Sequence, residues 1–313
     1  MVIQSEVDEC GAVYPKMELR STIESNSFFV IKFGQHPFPH TTMSGVLERT
    51  LGILELLSEQ GQGVELAVLA DKLNMPKSAA HRLLADLVRF GYVRQTRDMG
   101  EYVLTTKLVS LGLSYLSKTG VIDVAQPLLD RLAEQTGELV RLSVVDGDRL
   151  TWVARAQGAR QGLRYDPDMG SIARLSCSSS GLAWLSTMKD DDALALVSQQ
   201  GLGSPQDFGP NAPKSLKAFL KVLQDTRKQG FSLTEETYTA GLNAIAAPVG
   251  LAGQLPMGTI SVAGPSARLT RERMLALAPD LLSCAAQLAA ASGASPMLAR
   301  GTSHVRLQPI YAA

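Results

Sequence analysis

Cysteine is scarce in this 313-residue chain: Cys10, Cys177 and Cys284 are few, odd in number and far apart, and none stands in a Cys-x-x-Cys pair. A reducing compartment is therefore expected, and a structural zinc is not. Histidine is nearly as rare, with His36, His40, His81 and His304. His36 and His40 flank a Pro-Phe-Pro turn, and with no further ligand type beside them they read as a solvated loop, so neither metal nor cofactor is expected. Net charge is missing as well, because 30 Lys and Arg balance 30 Asp and Glu. That removes any bulk attraction to nucleic acid or to a membrane surface. No apolar run approaches the roughly 18 residues of a spanning helix, and Glu6, Asp8 and Glu9 stand where a signal peptide needs basic residues. A cytoplasmic protein without membrane contact is predicted. Absent too are the Gly-x-Ser-x-Gly elbow, His-Glu-x-x-His, the Walker loop and Gly-x-Gly-x-x-Gly, which argues against an enzyme.

What is present is ordinary core material, 45% hydrophobic, in a length that suggests two domains. Residues 1–43 lack periodicity and read as a poorly ordered extension, with Met43 a possible second translation start. From Val46 to Glu59 the residues Leu47, Leu51, Leu54 and Leu57, joined by Ile53, trace an amphipathic helix with Ser44 as its cap. A shorter helix over Glu65–Leu73 follows, with Leu66, Leu69, Ala70 and Leu73 at core spacing. After a turn at Asn74 and Met75 comes Pro76–Val93, in which Ala80, Leu83, Leu84, Leu87 and Val88 form an apolar stripe opposite Ser78, His81, Arg82, Ala85 and Arg89. Gly91 ends that helix.

The balanced total conceals a local imbalance. Lys72, Lys77, Arg82, Arg89, Arg94 and Arg97 face a single acid, Asp86, across 72–97. This is the electrostatic footprint of phosphate contact. Three helices with a tight turn before the last make a helix-turn-helix, which offers its final helix to the DNA major groove. Two short β-rich runs around residues 96–100 add a wing, on which Arg94 and Arg97 would reach phosphate or a minor groove.

The run from Gly52 to Gly112, with its Pro-Lys-Ser-x-x-His-Arg-Leu-Leu motif, resembles the winged helix-turn-helix of the IclR family of transcriptional regulators. Lys77, Ser78, His81, Arg82, Leu83 and Leu84 match that motif, whereas Ala79 and Ala80 stand where the family more often has Thr and a β-branched residue. Ala79 thus marks a departure in DNA contact rather than in fold. The helix over Lys107–Lys118, with Leu108, Leu111 and Tyr115 on one side, corresponds to the linker that dimerises in the family. Dimers or tetramers on double-stranded operator DNA are what the resemblance implies, with repression slightly preferred over activation.

Beyond the linker, a boundary is expected near residue 120 and a helix over Leu128–Thr136 between Pro127 and Gly137. A hairpin is expected over Leu139–Ala156, where Val140, Leu142 and Val144 alternate with Arg141 and Ser143. Strands at Ala244–Val249 and Thr259–Ala263, and helices near Gly181–Met188, Asp191–Gln199, Ser215–Gln229 and Arg271–Ala290, complete an α+β domain with a mainly antiparallel sheet. The divisions expected are an extension over 1–43, the winged helix-turn-helix over 44–105, a linker helix over 106–120, an effector-binding domain over 121–292 and a tail over 293–313. The segments "GFSLTEETYTAGLNAIAAPV" and "TISVAGPSARLT" carry the family resemblance through this second domain, which implies that a small effector binds there.

Residues 176–184 run from a serine-rich loop into a helix, and a helix start rich in N–H and hydroxyl donors favours a carboxylate. In the competing reading one serine caps the helix and the others are solvated. By the resemblance, the effector would lie against Ser179 and Ser180, within walls made by Leu163, Tyr165, Thr234, Glu236, Leu242, Ala244, Ser261 and Ala263. The family's usual lysine is replaced by Leu182. Arg164 and Arg174 are candidates for an anion clamp. The alternative is a hydrolase with Ser179 or Cys177 as nucleophile, for which no base is evident.

Overall fold

The computed structural model describes residues 29–31, 45–96, 100–167, 169–202, 208–251, 253–295 and 298. One short strand, β1 (Phe29–Ile31), is found where an extension without structure was expected. The remainder of 1–44, with His36, His40, Met43 and Ser44, lies outside the described residues. So does the tail beyond 298.

The helices α1 (Val46–Glu59), α2 (Leu66–Lys72) and α3 (Lys77–Arg89) close on Ile53, Leu57, Leu69, Ala80, Leu84 and Leu87. The stripe of α3 is buried as its spacing predicts, except that Val88 at the edge is exposed. α1 departs further. Its buried line runs through Ile53 and Leu57, one turn apart, so Leu51 is exposed and Leu47 is 71% exposed. Between α2 and α3, Asn74 adopts φ +47°, a left-handed conformation that its short polar side chain tolerates. Gly91, at φ +74°, stops α3 and sends the chain into a hairpin of β2 (Val93–Gln95) and β3 (Tyr102–Leu104), in which Val93 faces Leu104. Val64 bridges to Tyr102, fastening the wing to the helices.

α4 (Lys107–Thr119) leads into α5 (Val121–Thr136). α5 starts well before Pro127, against the expectation that the proline opens it. Val121 and Ala125 are fully buried against the sheet, and that burial extends the helix through a residue which otherwise ends one. Next come β4 (Leu139–Asp146), β5 (Arg149–Gln157) and β6 (Leu163–Tyr165), which pairs with β1 in parallel. The helices α6 (Ser179–Leu185), α7 (Asp190–Gln200) and α8 (Leu216–Gln229) precede β7 (Ser232–Glu235), β8 (Leu242–Val249) and β9 (Gly258–Pro265). The chain then forms α9 (Arg271–Ala291).

Five strands form one sheet in the order β5-β4-β9-β8-β7, with every neighbouring pair antiparallel. One face is apolar: Val140, Leu142, Ile245, Ile260 and Val262 pack on Leu129 of α5 and on Leu281 and Leu288 of α9. Within residues 271–294 an 18-residue window has a mean hydropathy of 1.5, enough by length and composition alone to cross a membrane, where no such run was expected. In the fold that length is a core helix laid on the sheet. The sheet's other face is covered by α6 and the loops around it, and it is polar, carrying Arg141, Ser143, Ser232, Thr234, Thr259 and Ser261, all buried.

Candidate functional site

The face of α3 opposite its buried stripe presents Lys77, Ser78, His81 and Arg82, all exposed, with Ala79 half-buried beside them. Arg94 is exposed on β2, and Arg97 lies outside the described residues. Arg89, at the far end of the helix, is engaged by Asp86 at 3.0 Å and lies over the Phe90 ring, so the basic groups left for a phosphate gather at the N-terminal end. A rigid helix with short polar and cationic side chains at its first turns is the shape that enters a major groove.

The second candidate site lies on the polar face of the sheet. A cavity of about 20 Å³ is lined by Arg141, Trp152, Tyr165, Ser179, Thr234, Tyr238 and Ala263, among others. A larger surface cleft of about 530 Å³ lies by α5 and the turn after β5. It contains none of the residues selected from the sequence, and its Arg268 is already held by Glu138. The smaller cavity is where the sequence-selected residues converge: Tyr165, Ser179, Thr234, Leu242, Ala244 and Ala263 all line it.

Leu163, Ser180, Glu236 and Ser261 are not in its lining. Leu163 is exposed, and its carbonyl accepts from Arg268 at 3.0 Å. Glu236 adopts φ +51°, and its carboxylate accepts from Gly241 N–H at 2.9 Å, closing the turn before β8. Ser261 faces its strand neighbour, with its hydroxyl 3.5 Å from the Arg141 carbonyl. The clamp candidates are occupied elsewhere: Arg164 pairs with Asp166 at 2.9 Å, and Arg174 reaches the Gln200 carbonyl.

The cation in the cavity is instead Arg141, which the sequence reading placed only as a polar residue alternating with Val140 and Leu142 on β4. The available signal was the pair of adjacent apolar residues at each end, Leu139-Val140 and Val144-Val145, which breaks the alternation as in a strand covered on both faces. Trp152 and Tyr238 were missed as well, since aromatic residues alone carry no such pattern.

In the serine loop the capping reading accounts for Ser178. Its hydroxyl accepts from Gly181 N–H at 3.0 Å and donates to the Arg174 carbonyl at 2.6 Å. Ser179 and Ser180 are buried rather than solvated, and the Ser179 carbonyl accepts from the Ser232 hydroxyl at 2.7 Å. Ser178→Ala should therefore lower stability by about 1 kcal/mol, the usual value of a helix cap. Unchanged thermal unfolding would remove Ser178 from that role.

The hydrolase alternative has no chemistry to stand on. Burial pushes the Cys177 thiol up to about 12, so it holds its proton. Among the described residues His81, out on α3, is the single histidine.

Comparison with known proteins gives two domain matches. Residues 46–97 match the IclR helix-turn-helix domain, and residues 113–290 match the domain described as bacterial transcriptional regulator IclR C-terminal. The chain is 28% identical over 256 residues to the acetate operon repressor of Salmonella typhimurium, covering 82% of this chain and 92% of that protein. It is 27% identical to the transcriptional repressor IclR of Escherichia coli, with the same coverage. An IclR homolog from Microbacterium hydrocarbonoxydans, solved in complex with 4-hydroxybenzoate, shares the fold at a TM-score of 0.66 and 19% identity, over 80% of this chain and 100% of that one. The C-terminal domain match alone spans more than half of the chain. This chain therefore belongs to the IclR family of bacterial transcriptional regulators, and it is a DNA-binding regulator rather than an enzyme.

Proposed function

We propose that the chain is a repressor that grips operator DNA with the N-terminal face of α3 and the wing, and releases or tightens that grip when a small organic acid occupies the cavity on the polar face of the sheet. The observation that carries the DNA assignment is the exposed cluster Lys77, Ser78, His81 and Arg82 on a helix whose other side is the core. The repressing sign is supported by the names of the curated relatives. Self-association is supported by α4, whose Val109, Leu111, Leu113 and Tyr115 are exposed apolar groups on one helix, the kind of surface a second copy covers. Such a regulator works in the cytoplasm, with its DNA. The homologue solved with 4-hydroxybenzoate makes small organic acids the first ligands to try.

For the acid to regulate, it must bind one arrangement of the DNA-reading helices better than another, since equal affinity for both shifts nothing. For DNA contact, Lys77 carries a point charge suited to phosphate, whereas Arg82 and His81 have the donors to read base edges. Lys77→Ala is expected to weaken binding on all sequences alike and to reduce the slope of log affinity against log salt by about 1. Arg82→Ala should relax the preference for one base pair instead. Gel shifts at graded salt on operator and scrambled duplexes check both, and an unchanged slope in Lys77→Ala would remove that residue from the interface.

A further inference from the structure

Two buried donors in the cavity lack an acceptor. Arg141, on β4, is 6% exposed and Trp152, on β5, is 2% exposed, and among the described residues neither Arg141 Nε nor Trp152 Nε1 has a hydrogen-bond partner. The guanidinium lies over the indole, with Cζ 3.9 Å from the ring centroid, and 5.6 Å from that of Tyr165. Burial acts most on its charge, against it, while Tyr165 and Tyr238 favour it, Tyr165 also through a side-chain hydrogen bond; Arg155 opposes it, and no carboxylate is among these groups. Nearby acids are already taken, Asp166 by Arg155 and Arg164 and Glu138 by Arg268. An arginine keeps its charge even where burial disfavours it, so the cavity holds a cation without a counter-ion.

Four other polar side chains on this face of the sheet are satisfied. Ser143 and Thr259 hydroxyls bond each other at 2.6 Å, Thr234 donates to the Ala244 carbonyl, and the Asn243 amide donates to the Leu269 carbonyl. What is missing is therefore specific: acceptors, and one negative charge. A lone water supplies the first and not the second. A single cation in the lining suits a monoanion, because a second buried carboxylate would itself go unpaired.

We infer that the cavity receives a monocarboxylic acid whose carboxylate accepts from Arg141 Nε and Trp152 Nε1, with its remainder toward Leu242, Ala244 and Ala263. The inference rests on the reading of this cavity as the effector site and narrows the ligand class. Because the present space holds about one water, the acid enters by displacing side chains. The ring contacts of Arg141 are the interactions that the carboxylate replaces.

The test uses the full chain and thermal unfolding in sodium formate, acetate, pyruvate or benzoate, against sodium chloride at equal ionic strength and against acetamide, pyruvamide and benzamide. Expected is a rise of about 2 °C or more with at least one acid and none with its amide, lost in Arg141→Met and reduced in Trp152→Phe, which keeps the ring and removes only the N–H. Without ligand, Arg141→Met should melt at or above the parent, because it removes an unpaired buried charge. Amides that stabilise as well as acids, with the effect lost in the cavity-filling Ala263→Leu, would overturn the carboxylate assignment and leave the effector site standing. An acid effect surviving both Arg141→Met and Ala263→Leu would overturn both. No stabilisation by any of the acids, or an unliganded Arg141→Met that melts well below the parent, would make Arg141 a structural cation and end the proposal.

Discussion

Arg268→Ala is expected to cost about 3 kcal/mol of stability, the lower end of the range for breaking a buried ion pair. Its partner Glu138 is 1% exposed and sits at the start of β4. Arg268 donates to both Glu138 carboxylate oxygens, at 2.6 and 2.8 Å, and to the Leu163 carbonyl at 3.0 Å. The carboxylate fits only because residue 264 is glycine, since a Cβ there would stand 2.4 Å from a Glu138 oxygen. Removing the arginine leaves a buried charge without its counter-ion. The lower end applies because the Arg268 side chain is itself 32% exposed, so its loss admits some water. In an α+β unit of this size the melting temperature should fall by roughly 10 °C. The double variant Glu138→Ala/Arg268→Ala should lose less than the two single losses added together. Additive losses would show that the pair is not coupled.

The same variant links stability to the ligand cavity. Arg268 ties the carbonyl of Leu163 on β6 to β4, and Tyr165, two residues along β6, lines the cavity. A looser β6 is therefore a looser cavity wall.

How far the sequence could be read depended on whether each residue's partners lay in its own element. α3 was legible almost to the residue, because its stripe, its preceding proline and its terminal glycine are all local signals. The serine loop was legible as a helix start for the same reason. α1 was legible as a helix, but not in its rotation: which of its leucines are buried depends on α2 and α3, and Leu47 and Leu51 fall outside that contact. α5 misled because a proline outweighs two small apolar residues in a local reading, whereas in the fold the burial of Val121 and Ala125 prevails. Arg141 is the most instructive case. Alternation along β4 puts it on one polar face with Ser143, and nothing local says that α6 and the loops beside it, from a segment more than 30 residues later, cover that face. The strand β7 escaped for a related reason, since its Ser232 and Thr234 pack as polar groups on that covered face.

Leu84→Ala should abolish DNA binding without touching a single group on the DNA-facing side of α3. Leu84 is fully buried at the centre of the three-helix core, next to Ile53, Leu69 and Ala80. Truncating such a leucine costs about 2–5 kcal/mol, by lost burial and by the cavity left behind. That core shares no residue with the cores around the sheet, so the loss falls on the helical unit alone. A unit of some sixty residues buries only about 60% of the surface its unfolded chain exposes, less than a larger domain does, and a typical stability for that length is roughly 3–9 kcal/mol. The expected loss is therefore comparable to the whole stability of the part that reads DNA. Calorimetry of the variant should show an early transition for the helical unit and an unchanged one for the sheet domain, and gel shifts should lose the complex at the temperature where the first has melted. A single transition that moves as one would mean that the two units fold cooperatively. In that case α4 transmits stability between them, and a ligand that tightens the sheet domain would also steady the DNA-reading helix through the same link.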